Sequence, residues 1–267
     1  MSTVEPKSPG LPAEARDSRA KAGALEQLAL FLARKGRRVW RLTVTDKRLI
    51  SPRMMRVTFK GADLDELIWK RGQDLVLELP MPGGAIARRH YTIRNLDSDA
   101  KTLAIDFVLH EGASASADWL KAVQTGDSIT AAGPRGHTYL HEADWHLFIG
   151  DETCIPAIAA MIEGLPRGAR AFAFIEIADD EERQSIGGDA QLTWLTRGGA
   201  PAGPSRILYD AVESFALPQG HGHAYVIGET SNVRAIRQRL IARGFGKDRT
   251  CAEGYWRPGR VGGHDHA

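Results

Sequence analysis

The hydrophobic pattern of this chain changes near residue 143, and that change limits the possible folds more than any other feature. From Val39 to about Pro134, short apolar and polar runs alternate between turn residues, which predicts an antiparallel barrel of six strands. After the change, continuous apolar runs alternate with helical patterns, as is typical of a doubly wound parallel sheet. We therefore expect a β-barrel domain at 39–142 and an α/β domain at 143–267.

The element boundaries follow from the same periodicities. In the first half we expect a helix at 113–123 and strands at 41–45, 56–60, 74–79, 90–94, 104–110 and 128–132. In the second half we expect strands at 146–150, 171–177, 192–196 and 224–228, with helices at 155–164, 205–215 and 232–243.

The first 38 residues are predicted to form a separate segment. Residues 1–20 are rich in Ser, Pro, Ala and charge, which indicates a mobile tail. Leu25, Leu28 and Leu32 then recur at helical spacing, so we expect an amphipathic helix that docks on the body or on a partner, with transient membrane contact as the alternative.

Residues 88–94 read Arg-Arg-His-Tyr-Thr-Ile-Arg and form the most informative short segment. In a strand, Arg89 and Tyr91 share one face while His90 and Thr92 take the other. An arginine fork pairs with phosphate, an aromatic ring stacks on a planar heterocycle, and a hydroxyl reaches a ring nitrogen. By itself the segment is more typical of a basic edge strand with one tyrosine, and the rest of the chain decides between the two interpretations.

Further motifs follow that segment in a fixed order. They are Asp106 to His110, Gly133-Pro134-Arg135-Gly136, Gly150 to Thr153, Gly228-Glu229 and Gly254-Tyr255-Trp256-Arg257. Together they resemble the siderophore-interacting proteins, a branch of the ferredoxin-NADP reductase-like flavoproteins, over about residues 38–260. The resemblance implies that the barrel binds FAD and that the α/β half is of the kind that binds NADPH or NADH.

The resemblance also implies a set of cofactor-binding residues: Arg89, His90, Tyr91, Thr92, Arg94, Asp106, Val108, His110, Ser116, Ala117, Trp119, Glu152, Thr153, Tyr255 and Trp256. This chain departs from the family before Trp119, where it has Ala-Ser-Ala-Asp in place of a turn containing proline and then serine. We therefore expect the amides of the helix start to contact the diphosphate more than any one side chain. The chain has no G-x-G-x-x-G motif, so the nucleotide prediction depends on topology and resemblance.

Basic residues are the expected contacts to the substrate. Ferric siderophores hold Fe(III) through hard oxygen ligands and are often anionic, so the protein needs cations near the flavin. The resemblance points to Arg53, Arg135 and Lys247, with Arg249 as the alternative to Lys247. Arg183 and Arg197 are candidates for contacting the 2′-phosphate of NADPH.

The leading hypothesis is reduction of a ferric siderophore through FAD, with NADPH or NADH as donor and release of Fe(II). It requires no general acid or nucleophile, so no catalytic side chain is assigned. Reduced ferredoxin is an alternative donor. The alternative functions are a general flavin or electron-carrier reductase on the same scaffold and a siderophore-binding protein without enzymatic activity.

Composition excludes several other classes. A formal charge of +2 argues against nucleic acid as a partner, and no apolar run is long enough to insert stably into a bilayer. The two cysteines, Cys154 and Cys251, belong to no C-x-x-C pattern, so neither a zinc nor an iron–sulfur site is expected. Lone thiols indicate a reducing cytoplasm, and we expect a monomer.

Overall fold

The computed structural model describes residues 38–109 and 114–260, together with the backbone of residues 265–266. Residues Trp40–Ala267 form one compact unit. The predicted tail and amphipathic helix fall within residues 1–37, outside the described residues, and so does His110.

The first half folds into an antiparallel, barrel-like sheet of seven strands. They are β1 (Val39–Ser51), β2 (Met54–Lys60), β3 (Asp74–Pro80), β4 (Ile86–Thr92), β5 (Asn95–Asp97), β6 (Thr102–Val108) and β7 (Ser128–Arg135), in the order β4-β3-β7-β1-β2-β6-β5. The prediction of an antiparallel barrel is confirmed, but the count of six strands is one too low. The missed strand, β5, has only three residues, which is too short to show an alternating pattern.

A single helix, α1 (Ala115–Ala122), closes the barrel core. Ser114 caps it, since its hydroxyl accepts the amide proton of Ala117 at 3.1 Å. The indole of Trp119 lies 6.4 Å from the ring of Phe59 and 5.5 Å from that of Phe107, between ring centroids. The helix start is thereby fixed next to strands β4 and β6.

The second half is a parallel sheet, as predicted. Its strands are β8 (Trp145–Asp151), β9 (Arg170–Ile177), β10 (Gln191–Thr196), β11 (Gly222–Glu229), β12 (Thr250–Trp256) and the short antiparallel β13 (Asp265–His266), in the order β10-β9-β8-β11-β12-β13. The order reverses direction between β8 and β11, so ligands are expected at the carboxyl ends of these two strands. Strand β12 was not predicted because its sequence, TCAEGYW, contains no apolar run.

Helices cover both faces of the parallel sheet. They are α2 (Ile155–Ile162), α3 (Ile207–Ser214) and α4 (Thr230–Ala242). Every residue of α2 is buried, and the core around it includes Met54 of β2 and Val108 of β6. The barrel and the α/β half therefore share a hydrophobic core. Within the described part of the chain, no helix has the length and apolar character needed to cross a bilayer.

Candidate functional site

Strand β4 and the start of α1 meet through a tyrosine. The hydroxyl of Tyr91 donates to the Oγ of Ser116 at 2.5 Å, and its ring centroid lies 4.2 Å from that of Phe107. Burial raises the pKa of Tyr91, so the phenol stays protonated at neutral pH. Tyr91 of β4, predicted to contact the flavin, is thus held against the N-terminus of α1.

Anion-binding groups surround that contact. The guanidinium of Arg89 donates to the carbonyl of Arg88 at 2.9 Å, and among the described residues no carboxylate is paired with it. The amides of Ala115 and Ser116 begin α1 and point along its dipole. The amide of Ala117, predicted to contact the cofactor, is already bonded to Ser114, so its neighbours are the better donors.

A buried carboxylate connects two residues that were predicted for different ligands. The Nδ1 of His90 lies 2.6 Å from Asp74 Oδ2, and the Nε of Arg135 lies 3.9 Å from Asp74 Oδ1. Asp74, the first residue of β3, is 6% exposed and pairs in register with Thr92 of β4 on one side and Arg135 of β7 on the other. Sequence reasoning missed Asp74, although an acidic residue at the start of an apolar strand was a visible signal.

Ion pairs join the barrel to α2. Arg94 makes a two-pronged pair with Glu163, both N–O distances being 2.6 Å, and its Nε lies 3.7 Å from Asp106. Asp106 itself accepts from Arg56 at 2.6 and 2.8 Å. Burial raises the pKa of Glu163, but the hydrogen bond and charge of Arg94 outweigh it and lower that pKa below its usual value. Arg94 and Asp106 therefore serve the protein's own packing, and their contact with a cofactor stays a prediction.

Asp151 organises the carboxyl edge of the parallel sheet. Its Oδ2 accepts from the Glu229 amide and from the Trp256 indole, both at 2.9 Å, and its Oδ1 accepts from the Thr153 amide at 2.9 Å. Burial raises the pKa of Asp151, and the charge of Glu152 adds to that rise. One carboxylate thus holds the ends of β8, β11 and β12 together at the point where the strand order reverses.

Glycine at position 228 is required by this arrangement. Its φ is +132°, and a Cβ built there would lie 2.6 Å from Asp151 Oδ2. Both the conformation and the close approach exclude a larger residue.

Arg197 does not meet the expectation of a 2′-phosphate contact. It is paired with Glu152 at 2.6 and 2.7 Å, its Nη1 lies 3.6 Å from Glu176, and its side chain is 4% exposed. A guanidinium buried between two carboxylates has no free fork for phosphate. Arg183, the other candidate, pairs with Asp180 at the surface.

The C-terminal motif, Gly254 to Arg257, contacts strand β4. Tyr255 is hydrogen-bonded to Thr92, and burial raises the pKa of Tyr255 well above its ordinary value. Thr230 donates to the Trp256 carbonyl at 3.0 Å, while the indole of Trp256 is bonded to Asp151. The last parallel strand, β12, is thereby bonded both to the barrel and to Asp151, where the strand order reverses between β8 and β11.

The remaining predicted residues occupy varied positions. Val108 packs in the shared core and Trp119, 5% exposed, lies in the barrel core, so cofactor contacts through their side chains stay predictions. Arg53 is exposed in the turn between β1 and β2, and Lys247 is exposed in the short helix Lys247–Arg249. Arg249 instead lies over the Phe245 ring at 5.2 Å, which favours Lys247 of the two.

Two family models match the chain. Residues 143–259 match the siderophore-interacting protein model, and residues 80–138 match the siderophore-interacting FAD-binding domain. The ferric vibriobactin reductase ViuB of Vibrio cholerae is 32% identical over 243 residues, which cover 80% of this chain and 88% of that protein.

Solved structures show the same architecture. A siderophore utilization protein from T. fusca superposes with a TM-score of 0.78 at 34% identity, covering 84% of this chain and 95% of that one. The ferredoxin reductase of carbazole 1,9a-dioxygenase, at 16% identity and a TM-score of 0.64, covers 82% and 70% and shows the shared fold.

Proposed function

The chain belongs to the siderophore-interacting protein family, and we propose that it is a flavoenzyme that reduces ferric siderophores with electrons from NADPH or NADH. The contact between Tyr91 and Ser116 carries the proposal, because it sets an aromatic ring beside a helix start that favours anions. The likeness to ferric vibriobactin reductase supports the substrate class.

The barrel residues satisfy the requirements of an FAD site. Arg89 and the amides of Ala115 and Ser116 offer positive charge and free donors for a diphosphate. Tyr91 supplies a ring for stacking, and Thr92 supplies a hydroxyl that Tyr255 holds in place. Held by these residues, FAD would supply the conversion of a two-electron hydride donor into one-electron delivery to Fe(III).

The substrate would meet the flavin next to Arg135. This residue follows Gly133 and Pro134 at the end of β7, and its guanidinium is one-third exposed. Its distance of 3.9 Å from Asp74 is too long for a hydrogen bond, so its donors remain available to an anionic chelate. Arg53 and Lys247 add exposed positive charge on two other loops.

The nucleotide would approach the carboxyl ends of β8 and β11, where Asp151 and Glu229 meet. We place the protein in the cytoplasm, where both donors are found and where its two unpaired cysteines, Cys154 and Cys251, remain reduced.

Two assays on the purified protein test this function. The protein should be yellow, and its absorbance should bleach without oxygen when NADPH or NADH is added. It should then reduce a ferric catecholate chelate, observed by trapping Fe(II) with ferrozine. Failure to bind FAD contradicts the flavoenzyme, while bleaching followed by reduction of quinones alone identifies a general reductase.

Arg135→Ala separates substrate binding from flavin reduction. We expect the KM for an anionic ferric chelate to rise while the rate of bleaching by NADPH changes little. Added salt should raise the KM of the wild type towards that of the variant, because salt screens the attraction between the arginine and the chelate. Arg48→Ala, which removes an equal charge from the exposed pair with Asp46, is the control. Equal losses in both assays of Arg135→Ala would contradict the substrate role.

A further inference from the structure

Three ligating side chains meet at the amino edge of the parallel sheet. His223 and Cys251 are the second residues of β11 and β12, and His141 lies in the connection between β7 and β8. Glu229 lies six positions after His223 on β11, which is about 20 Å along a strand. This cluster is therefore distinct from the site at the carboxyl edge.

The distances from the sulfur to the two imidazole nitrogens are those of a metal centre. Cys251 Sγ lies 3.4 Å from His223 Nε2 and 3.6 Å from His141 Nε2, and all three ligating atoms lie within 4.8 Å of one another. In a tetrahedral zinc centre, with Zn–S of about 2.3 Å and Zn–N of about 2.05 Å, the sulfur–nitrogen edge is about 3.5 Å. Both sulfur–nitrogen distances match that edge without rearrangement of the backbone.

The surroundings hold these groups in place. The rings of His141 and His223 are stacked with centroids 4.4 Å apart, and Tyr139 stacks on the other side of His141 at 4.6 Å. The amide of His141 donates to the hydroxyl of Tyr225 at 2.8 Å, which fixes the connection against β11. A metal ion lies in the plane of each imidazole that binds it, so on binding the two stacked rings must turn about their side-chain torsions until both nitrogens face the ion.

Charged neighbours act on a cation at this cluster in both directions. Lys70 acts against a cation near His141, while Asp248 and Glu253 act for one near His223 and Cys251.

We propose that His141, His223 and Cys251 bind one borderline-soft divalent cation, Zn²⁺ being the type ion, with solvent as the fourth ligand. Two imidazoles and one thiolate are a ligand set that suits zinc, and three protein ligands leave one position open. The bound ion would fasten the connection between the two halves to strands β11 and β12. No sequence motif indicates this site, because its ligands are far apart along the chain.

The test is zinc binding by the full-length holoprotein. We expect one zinc per chain after dialysis against Zn²⁺, an X-ray absorption shell of one sulfur at about 2.3 Å and nitrogen or oxygen at about 2.05 Å, and a higher melting temperature. Because loss of groups that only orient metal ligands already costs 10–100-fold in affinity, Cys251→Ser should weaken binding by at least about 100-fold.

Two controls separate this site from other histidines. His221→Ala removes an exposed imidazole near the cluster and should bind zinc as the wild type does. All measurements are repeated with His264 and His266 changed to alanine, which removes a possible chelating tail. A shell without sulfur, or undiminished binding by Cys251→Ser, would overturn the proposal, and so would absence of binding by the wild type.

Discussion

Replacing Arg197 with methionine tests whether this buried arginine stabilises the α/β half or recognises a phosphate. The wild-type guanidinium forms two short bonds to Glu152 and lies 3.6 Å from Glu176, whose other oxygen accepts from Ser205 at 2.8 Å. Methionine fills much of the space but leaves two carboxylates with little exposure and without their cation.

The expected cost is large because a buried charge is left without its partner. Breaking such a pair typically costs about 3–5 kcal/mol of the free energy of unfolding. Since about 1 kcal/mol lowers the melting temperature of a protein of this size by roughly 2–4 °C, we expect a decrease of roughly 6–20 °C. The pair Arg183–Asp180 is exposed, so Arg183→Met should change the free energy of unfolding by no more than about 0.5 kcal/mol.

The loss should also depend on pH. Burial already raises the pKa of Glu176 above its ordinary value, and removing Arg197 takes away a charge that lowers it. A carboxyl group whose pKa is raised in the folded state destabilises the fold above that pKa and ceases to do so as it is protonated. The deficit of Arg197→Met should therefore shrink as the pH falls from 7 towards 5.

The assay is urea unfolding monitored by circular dichroism at several pH values, together with KM for NADPH and NADH. Wild-type stability combined with a selective rise in KM for NADPH would refute the structural role and restore Arg197 as a 2′-phosphate contact. Glu152→Gln in the Arg197→Met background should recover part of the lost stability, because it removes one of the two unpaired charges.

Two further experiments test the packing of the site. Tyr91→Phe and Ser116→Ala should each lower the free energy of unfolding by about 1 kcal/mol, and the double variant should cost less than the sum, as measured by a double-mutant cycle; full additivity would show that the bond does not form. Gly228→Ala should cost about 2–4 kcal/mol in urea unfolding, because its Cβ meets Asp151 and its φ is positive, whereas Gly203→Ala, with open space around it, should be nearly neutral; equal effects would contradict the crowding.

Hydrophobic periodicity was enough to predict the antiparallel barrel and the parallel sheet. A strand buried on one face alternates apolar and polar residues, and a strand buried on both faces is a continuous apolar run. Periodicity failed at β5, which is too short, and at β12, whose alternating small and polar residues are half-buried beside β11. The structure brings Tyr91 and Thr92 of the β4 motif next to two other predicted residues, Ser116 and Tyr255, and their contact with a cofactor stays a prediction.

Charged partners were beyond sequence reasoning. The pairing of Arg197 with Glu152, and of Arg94 with Glu163, depends on which loops meet in space. The residues next to an arginine in the sequence do not show whether it pairs with a carboxylate of the protein or with the phosphate of a ligand. The same reason hid the cluster of His141, His223 and Cys251.

The bond between Tyr255 and Thr92 has a consequence for how the site is assembled. Strand β4 precedes the whole α/β half in the chain, yet the hydroxyl expected beside the flavin is held by a residue of β12. An independently folding barrel would lack that support, and its hold on the cofactor would be incomplete. Flavin retention during refolding should therefore lag behind formation of the barrel and coincide with docking of β12, so the yellow colour would report completion of the whole molecule.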